Sequence, residues 1–190
     1  MAETQQSTTI RTKMSWAEFL AAGEEWQRWE LVDGEVQFVS PTGHEHAAVI
    51  SNLILQLGTY CKQHREWISL ASEAAFTMAS DNWRCPDAAL VGAERYPARK
   101  IQVAPGTFPP DVAFEVYSPG DTASQIGLER RDYQESGVIQ VWIDPERRSA
   151  ELIEPGRPPR YFDGDHPLVI DRLTGFTLDL KALLKCSLYS

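Results

Sequence analysis

The chain has 190 residues, 43% of them hydrophobic, three cysteines and a formal net charge of −9. At this length one domain buries roughly 70% of the surface that its unfolded chain exposes, so folding needs no disulfide or metal staple. Cys61, Cys85 and Cys186 include no Cys-x-x-Cys pair and read as thiols of a reducing compartment, which excludes a disulfide framework and a zinc knuckle. The negative balance argues against passive, charge-driven capture of nucleic acid.

Residues 1–13 are polar and Ser/Thr-rich, with no apolar signal-peptide core, and are expected to form a flexible tail ahead of a single domain over 14–190. The longest apolar runs, such as Ala47–Ile50 and Leu53–Leu55, are far too short to span a membrane, so a cytoplasmic location is the default. Ser15 to Glu18 has the form of a capping box and opens a first helix ending near Gly23. Asp33-Gly34 between two apolar runs, Trp29–Val32 and Glu35–Val39, predicts an N-terminal hairpin. Thr42 to Glu45 reads as a second capping box, followed by a helix from about His44 to Gln63 that presents Ile50, Leu53, Ile54 and Leu57 to the core.

Beyond His64 the period changes to that of strands. Trp67–Met78 and Trp83–Val91 read as two strands joined by a turn at Asp81-Asn82. Residues 92–110, with four prolines, form a loop in which Arg95, Arg99 and Lys100 make a small solvated basic cluster. Asp111–Tyr117 reads as a strand, Asp121 or Thr122 as the cap of a helix running to Glu135, and Gly137 as its stop. Val138–Ile143 is apolar enough for a strand buried on both faces. Ser149–Ile153, further short strands and a last helix near Leu178–Leu184 close the chain. Trp26, Trp29, Trp67, Trp83 and Trp142 are expected in the core rather than on a base-stacking platform. This order predicts an α/β (α+β) fold: a mixed central sheet flanked by helices.

Two Pro-Asp pairs, Pro86-Asp87 and Pro110-Asp111, each open a strand-like run. On a strand Asp111, Ala113 and Glu115 share a face. Two such carboxylates suit a hard divalent ion, or else Asp111 caps the strand start while Glu115 meets an arginine. Asp87 and Glu115 lie 28 positions apart across a loop, so adjacent strands can bring them together, with Glu30 on the hairpin as a third acid. His46, near a helix N-terminus, is placed to reach a phosphate or a metal's water.

Several blocks occur together and in order. They are Trp29-Glu-Leu-Val-Asp-Gly-Glu, Ser40-Pro with His46, Pro86-Asp-Ala-Ala-Leu-Val, Pro110-Asp-Val-Ala-Phe-Glu-Val-Tyr-Ser-Pro119, and Tyr133 with Gly137-Val-Ile-Gln-Val-Trp-Ile-Asp-Pro145. In this arrangement, over roughly Ser15 to Ile153, the chain resembles the Uma-two family of restriction-endonuclease-like proteins, within the PD-(D/E)xK nuclease superfamily. The resemblance implies a restriction-endonuclease-like fold and a Mg²⁺-dependent (or Mn²⁺-dependent) endonuclease cutting DNA. Asp87 and Glu115 are then the metal ligands, Glu30 is an additional catalytic acid, and His46 and Asp111 are accessory residues. A nuclease cutting both strands is expected to be a homodimer. The sequence departs from the family in its lysine. Tyr117 stands two positions after Glu115, and the helix position where the family commonly carries lysine is Glu129. Arg130 or Arg131 is the candidate replacement, a cation that stabilises charge but does not take up a proton. The alternative is a degenerate nuclease-fold protein that binds DNA or a protein partner without cleaving.

Overall fold

The computed structural model describes residues 9–13, 18, 29–38, 43–96 and 106–185. Thr9–Lys13, expected within the flexible tail, instead forms strand β1, paired antiparallel with the hairpin. Strands β2 (Trp29–Val32) and β3 (Glu35–Phe38) make that hairpin. Asp33 and Gly34 have φ of 51° and 76°, the left-handed pair that a two-residue turn matched to strand twist requires. The first predicted helix lies outside the described residues apart from Glu18, as do Trp26, Arg99 and Lys100.

Helix α1 (His44–Gln63) starts at Gly43, which makes no side-chain cap bond. The expected cap residue, Thr42, lies outside the described residues. Val49, Leu53, Leu57 and Tyr60 are its buried stripe, with Ile50 and Ile54 half-buried beside them. Burial of each of the large aliphatic side chains is worth roughly 1.5–3 kcal/mol.

The two long strands expected after His64 each divide. The pieces are β4 (Trp67–Ala71) and β5 (Phe76–Thr77), then β6 (Trp83–Arg84) and β7 (Ala88–Gly92). The break in the second falls at Cys85-Pro86-Asp87, where proline has no N–H for a ladder. As a result β5 and β6 join the hairpin in a five-stranded sheet ordered β1-β3-β2-β6-β5. The second sheet has six strands, ordered β11-β10-β9-β8-β7-β4, with β8 (Val112–Val116), β9 (Ile139–Asp144), β10 (Ser149–Ile153) and β11 (Arg160–Asp163). All its pairs are antiparallel except β8 with β9.

Helix α2 (Ala123–Glu135) makes the crossover between those two parallel strands. Thr122 caps it in a complete capping box with Gln125. One face of the six-stranded sheet packs Val112, Phe114, Val116, Val141 and Ile143 against α1 and the short α3 (Leu180–Leu183). The opposite face packs Ala89, Val91, Ala113 and Trp142 against Tyr133 of α2, Phe76 of the smaller sheet and Met78 just beyond β5. Trp83 and Trp142 are buried, as expected. Among the described residues no helix is long and apolar enough to cross a membrane.

Candidate active site

The register of β7 and β8 sets the geometry. Ala88 pairs with Phe114, so the residue just before it, Asp87, stands opposite Glu115. The two are tied through the backbone: the Val116 N–H donates to Asp87 Oδ2 at 2.8 Å, and the Asp87 N–H reaches Glu115 Oε2 at 3.4 Å. The Tyr133 hydroxyl, from α2, donates to Glu115 Oε1 at 2.5 Å. Glu115 therefore points to the face covered by α2, and an aspartate, a glutamate and a phenol converge at one strand end.

Three further acids surround this pair. Glu30, on β2, accepts from the Cys85 N–H at 3.0 Å and from Arg84 Nη1 at 3.0 Å. Glu129 lies one helical turn before Tyr133, with its Oε1 3.5 Å from the tyrosine hydroxyl. Asp121 precedes α2 and accepts from the Ser118 N–H at 2.7 Å. The electrostatics show what this crowding costs. Burial first, then the charges of Glu129, Asp87 and Glu30, hold the Glu115 carboxyl well above its ordinary range. Burial, then Glu30, pushes Glu129 up to about 8, with Arg84 opposing. Asp121 is also raised, mainly by burial.

His46 is 7% exposed, and its Nε2 donates to the Val116 carbonyl at 2.8 Å while lying 3.4 Å from Asp87 Oδ2. Burial pulls its pKa down, but the Asp87 carboxylate and the Val116 carbonyl outweigh that, and the net direction is up. A cleft of about 610 Å³ opens beside it, lined among others by Tyr117, Ser118, Asp121, Asp144 and Arg147.

Of the residues singled out in the sequence, Asp87, Glu115, Glu30 and His46 come together here, and two do not. Asp111 sits at the far end of β8, where it accepts from the Gly92 N–H at 2.9 Å and pairs with Arg172 at 2.7 Å and Arg95 at 3.4 Å. It is a structural ion-pair centre, because the strand's length separates it from Glu115 although both lie on alternating positions. Arg130 is bound to Glu151 and to the Tyr117 hydroxyl, with its guanidinium over Trp142. Its contacts are with these groups and not with Asp87 or Glu115. Arg131 is exposed.

Sequence reasoning passed over Arg84 and Asp132. Arg84 donates to Asp132 Oδ2 through Nε at 2.8 Å and Nη2 at 2.6 Å, and Asp132 is completed by Asn82 Nδ2 and the Ser80 hydroxyl. The available signal was the lone charged residue between Trp83 and Cys85-Pro86 in a largely apolar strand-like run.

A mixed sheet that sets an aspartate against a glutamate on adjacent antiparallel strands, with a helix crossing to a parallel neighbour, defines a restriction-endonuclease-like fold. The chain belongs to the Uma2 family, described as "putative restriction endonuclease", whose model matches residues 16–181. The structure is similar to the crystal structure of a "putative nuclease belonging to DUF820" from Anabaena variabilis, with a TM-score of 0.76 and 20% identity. That match covers 90% of this chain and 97% of the other. No curated protein matches the chain.

Proposed function

We propose that the protein is a divalent-metal-dependent endonuclease that hydrolyses phosphodiester bonds in DNA, acting as a homodimer in the cytoplasm. The observation that carries this reading is the Asp87–Glu115 pair, two carboxylates held across one β-ladder, where burial and neighbouring acids hold the Glu115 carboxyl well above its ordinary range. Among the described residues no group of three or more His, Cys, Asp and Glu side chains stands ready to enclose a metal ion. The donor set nonetheless fits Mg²⁺ or Mn²⁺, which take one or two carboxylates from a protein and fill the remaining positions with water and phosphate oxygens. Asp87 and Glu115 would hold the ion, and when bound it polarises the phosphoryl group and lowers the pKa of a water.

The chain's own residues do the rest. The Val116 N–H fixes Asp87, the Tyr133 hydroxyl fixes Glu115, and His46 ties α1 to β8 through its Nε2–H on the Val116 carbonyl, with Nε2 3.4 Å from Asp87. Glu30, pinned by the Cys85 N–H, is the accessory acid facing the same point. Glu129 occupies the helix position where the family commonly carries lysine, and puts a buried carboxyl there in place of an ammonium. Cleavage is therefore expected to be slow.

A second reading, a binding protein that has lost catalysis, draws on the same Glu129 and on the net charge of −9. Nicking of supercoiled plasmid in Mn²⁺, abolished by EDTA and by Asp87→Ala, establishes the nuclease. Retention of DNA binding with no nicking at any Mn²⁺ concentration would establish the binding protein in its place.

A further inference from the structure

Four carboxylates, Glu30, Asp87, Glu115 and Glu129, act on one another in this site, and the family's lysine is not there to offset them. Among the described residues, Arg84 is the sole arginine or lysine hydrogen-bonded to any of the four. It is 4% exposed and its three donating nitrogens are all engaged: Nη1 on Glu30, and Nε with Nη2 on a single oxygen of Asp132. Asp132 is anchored independently by Asn82 and Ser80, so it holds the guanidinium plane in a set orientation. The remaining edge of that plane meets Glu30, whose other oxygen is fixed by the N–H of Cys85, two residues before Asp87.

We propose, building on the nuclease reading above, that Arg84 is the positioning cation of this active site. It sets Glu30 against the Cys85–Asp87 segment and supplies, from β6, a fixed positive charge beside the four carboxylates. The planar fork is needed for this, because a guanidinium bonds Glu30 and Asp132 at once in a rigid geometry, whereas an ammonium acts as a point charge on a flexible stem. Its role runs through Glu30 and through the local field. It therefore touches metal affinity and turnover in opposite senses, which a purely architectural arginine would not.

The test uses the whole 190-residue chain, titrated with Mn²⁺ alone by calorimetry and assayed in parallel for plasmid nicking. Arg84→Gln removes the charge while leaving Asp132 its bonds from Asn82 and Ser80. It should bind Mn²⁺ roughly tenfold more tightly, because a competing cation has gone from a poorly screened site, and should nick at least about tenfold more slowly. Arg84→Lys keeps the charge, so its Mn²⁺ affinity should stay within about twofold of wild type while nicking is partly recovered. Unchanged or weaker Mn²⁺ binding in a folded Arg84→Gln protein overturns the proposal. Should Arg84→Gln not fold, Arg84→Lys decides: affinity held with slowed nicking supports the proposal, and lost affinity overturns it. The Mn²⁺ titration remains decisive even where no nicking is seen. Asp87→Ala separates the two levels, since Mn²⁺ binding that survives it defeats the metal reading itself, whatever Arg84 does.

Discussion

Glu129→Gln should stabilise the metal-free protein increasingly as pH rises above 4.5, with the full effect reached above pH 8. In the native fold burial and Glu30 push the Glu129 carboxyl from its ordinary 4.5 to about 8. Below pH 4.5 both folded and unfolded chains hold the proton, and the group has no effect on stability. Between 4.5 and 8 the native state keeps a proton that the unfolded chain has released, so stability falls as pH rises, and above 8 the loss is complete. At about 1.4 kcal/mol per pH unit the difference amounts to at most ~5 kcal/mol. Glu115 and Glu129 repel each other, so a proton on either relieves both, and about 2–3 kcal/mol is expected from Glu129 alone. Urea unfolding in EDTA at pH 5 and pH 8.5 measures this directly. Glutamine is neutral at both values, so the variant should match wild type at pH 5 and exceed it at pH 8.5. Parallel pH profiles for the two proteins would show that Glu129 ionises freely, and the account of a charge-starved site would be wrong.

Four other outcomes follow from the same geometry. Glu129→Lys restores the family's charge pattern and should raise plasmid nicking in Mg²⁺ by a factor of about 10² or more, the usual scale for a placed proton-transfer group; no gain would sever the lysine position from the chemistry. Tyr133→Phe removes the donor to Glu115 Oε1 and should cost about 1–3 kcal/mol in urea unfolding at neutral pH, since the tyrosine is fully buried. Leu53→Ala, at the centre of the α1 stripe, should cost about 2–5 kcal/mol, and hydrogen exchange should show α1 among the last elements to open. Asp111→Asn strands Arg172 and Arg95 and should lower the melting temperature while leaving Mn²⁺ affinity unchanged, because it lies at the other end of β8.

How far the sequence disclosed all this depended on the range of the forces involved. The α1 stripe, the hairpin at Asp33-Gly34, the Thr122 cap and the doubly buried β9 were legible because each is written in local spacing. Asp87 and Glu115 were legible because the chain between them is long enough to place them on neighbouring strands. The division of Trp83–Val91 into strands of two different sheets was not, since apolar content runs through it and only Pro86 marks the break. Arg84 was hidden for a related reason: its meaning comes from Glu30 and Asp132, more than forty positions away on either side. Arg130 misled because proximity along the helix does not fix direction. Adjacent helical positions point about 100° apart, so Glu129 faces the acids while Arg130 turns to Glu151.

The segment Cys85-Pro86 is the thread between the two sheets: Arg84 ends a strand of the smaller one, and Ala88 begins a strand of the larger. Glu30 and Arg84 thus ride on one body, while Asp87 and Glu115 ride on the other. A small rocking of the hairpin sheet would open or close the distance between the two halves of the site without breaking a single rung of either ladder. What resists it is the stiffness of one proline, the Arg84 fork on Asp132, the packing of Phe76 on the larger sheet, and the clamp of Asn82, which grips the hairpin turn at Asp33 and α2 at Asp132. Changes remote from the carboxylates, at Asn82 or along the hairpin, should then behave like a misadjusted vice. On the nuclease reading, such a protein would keep its fold, yet its two jaws would no longer meet on the same phosphate.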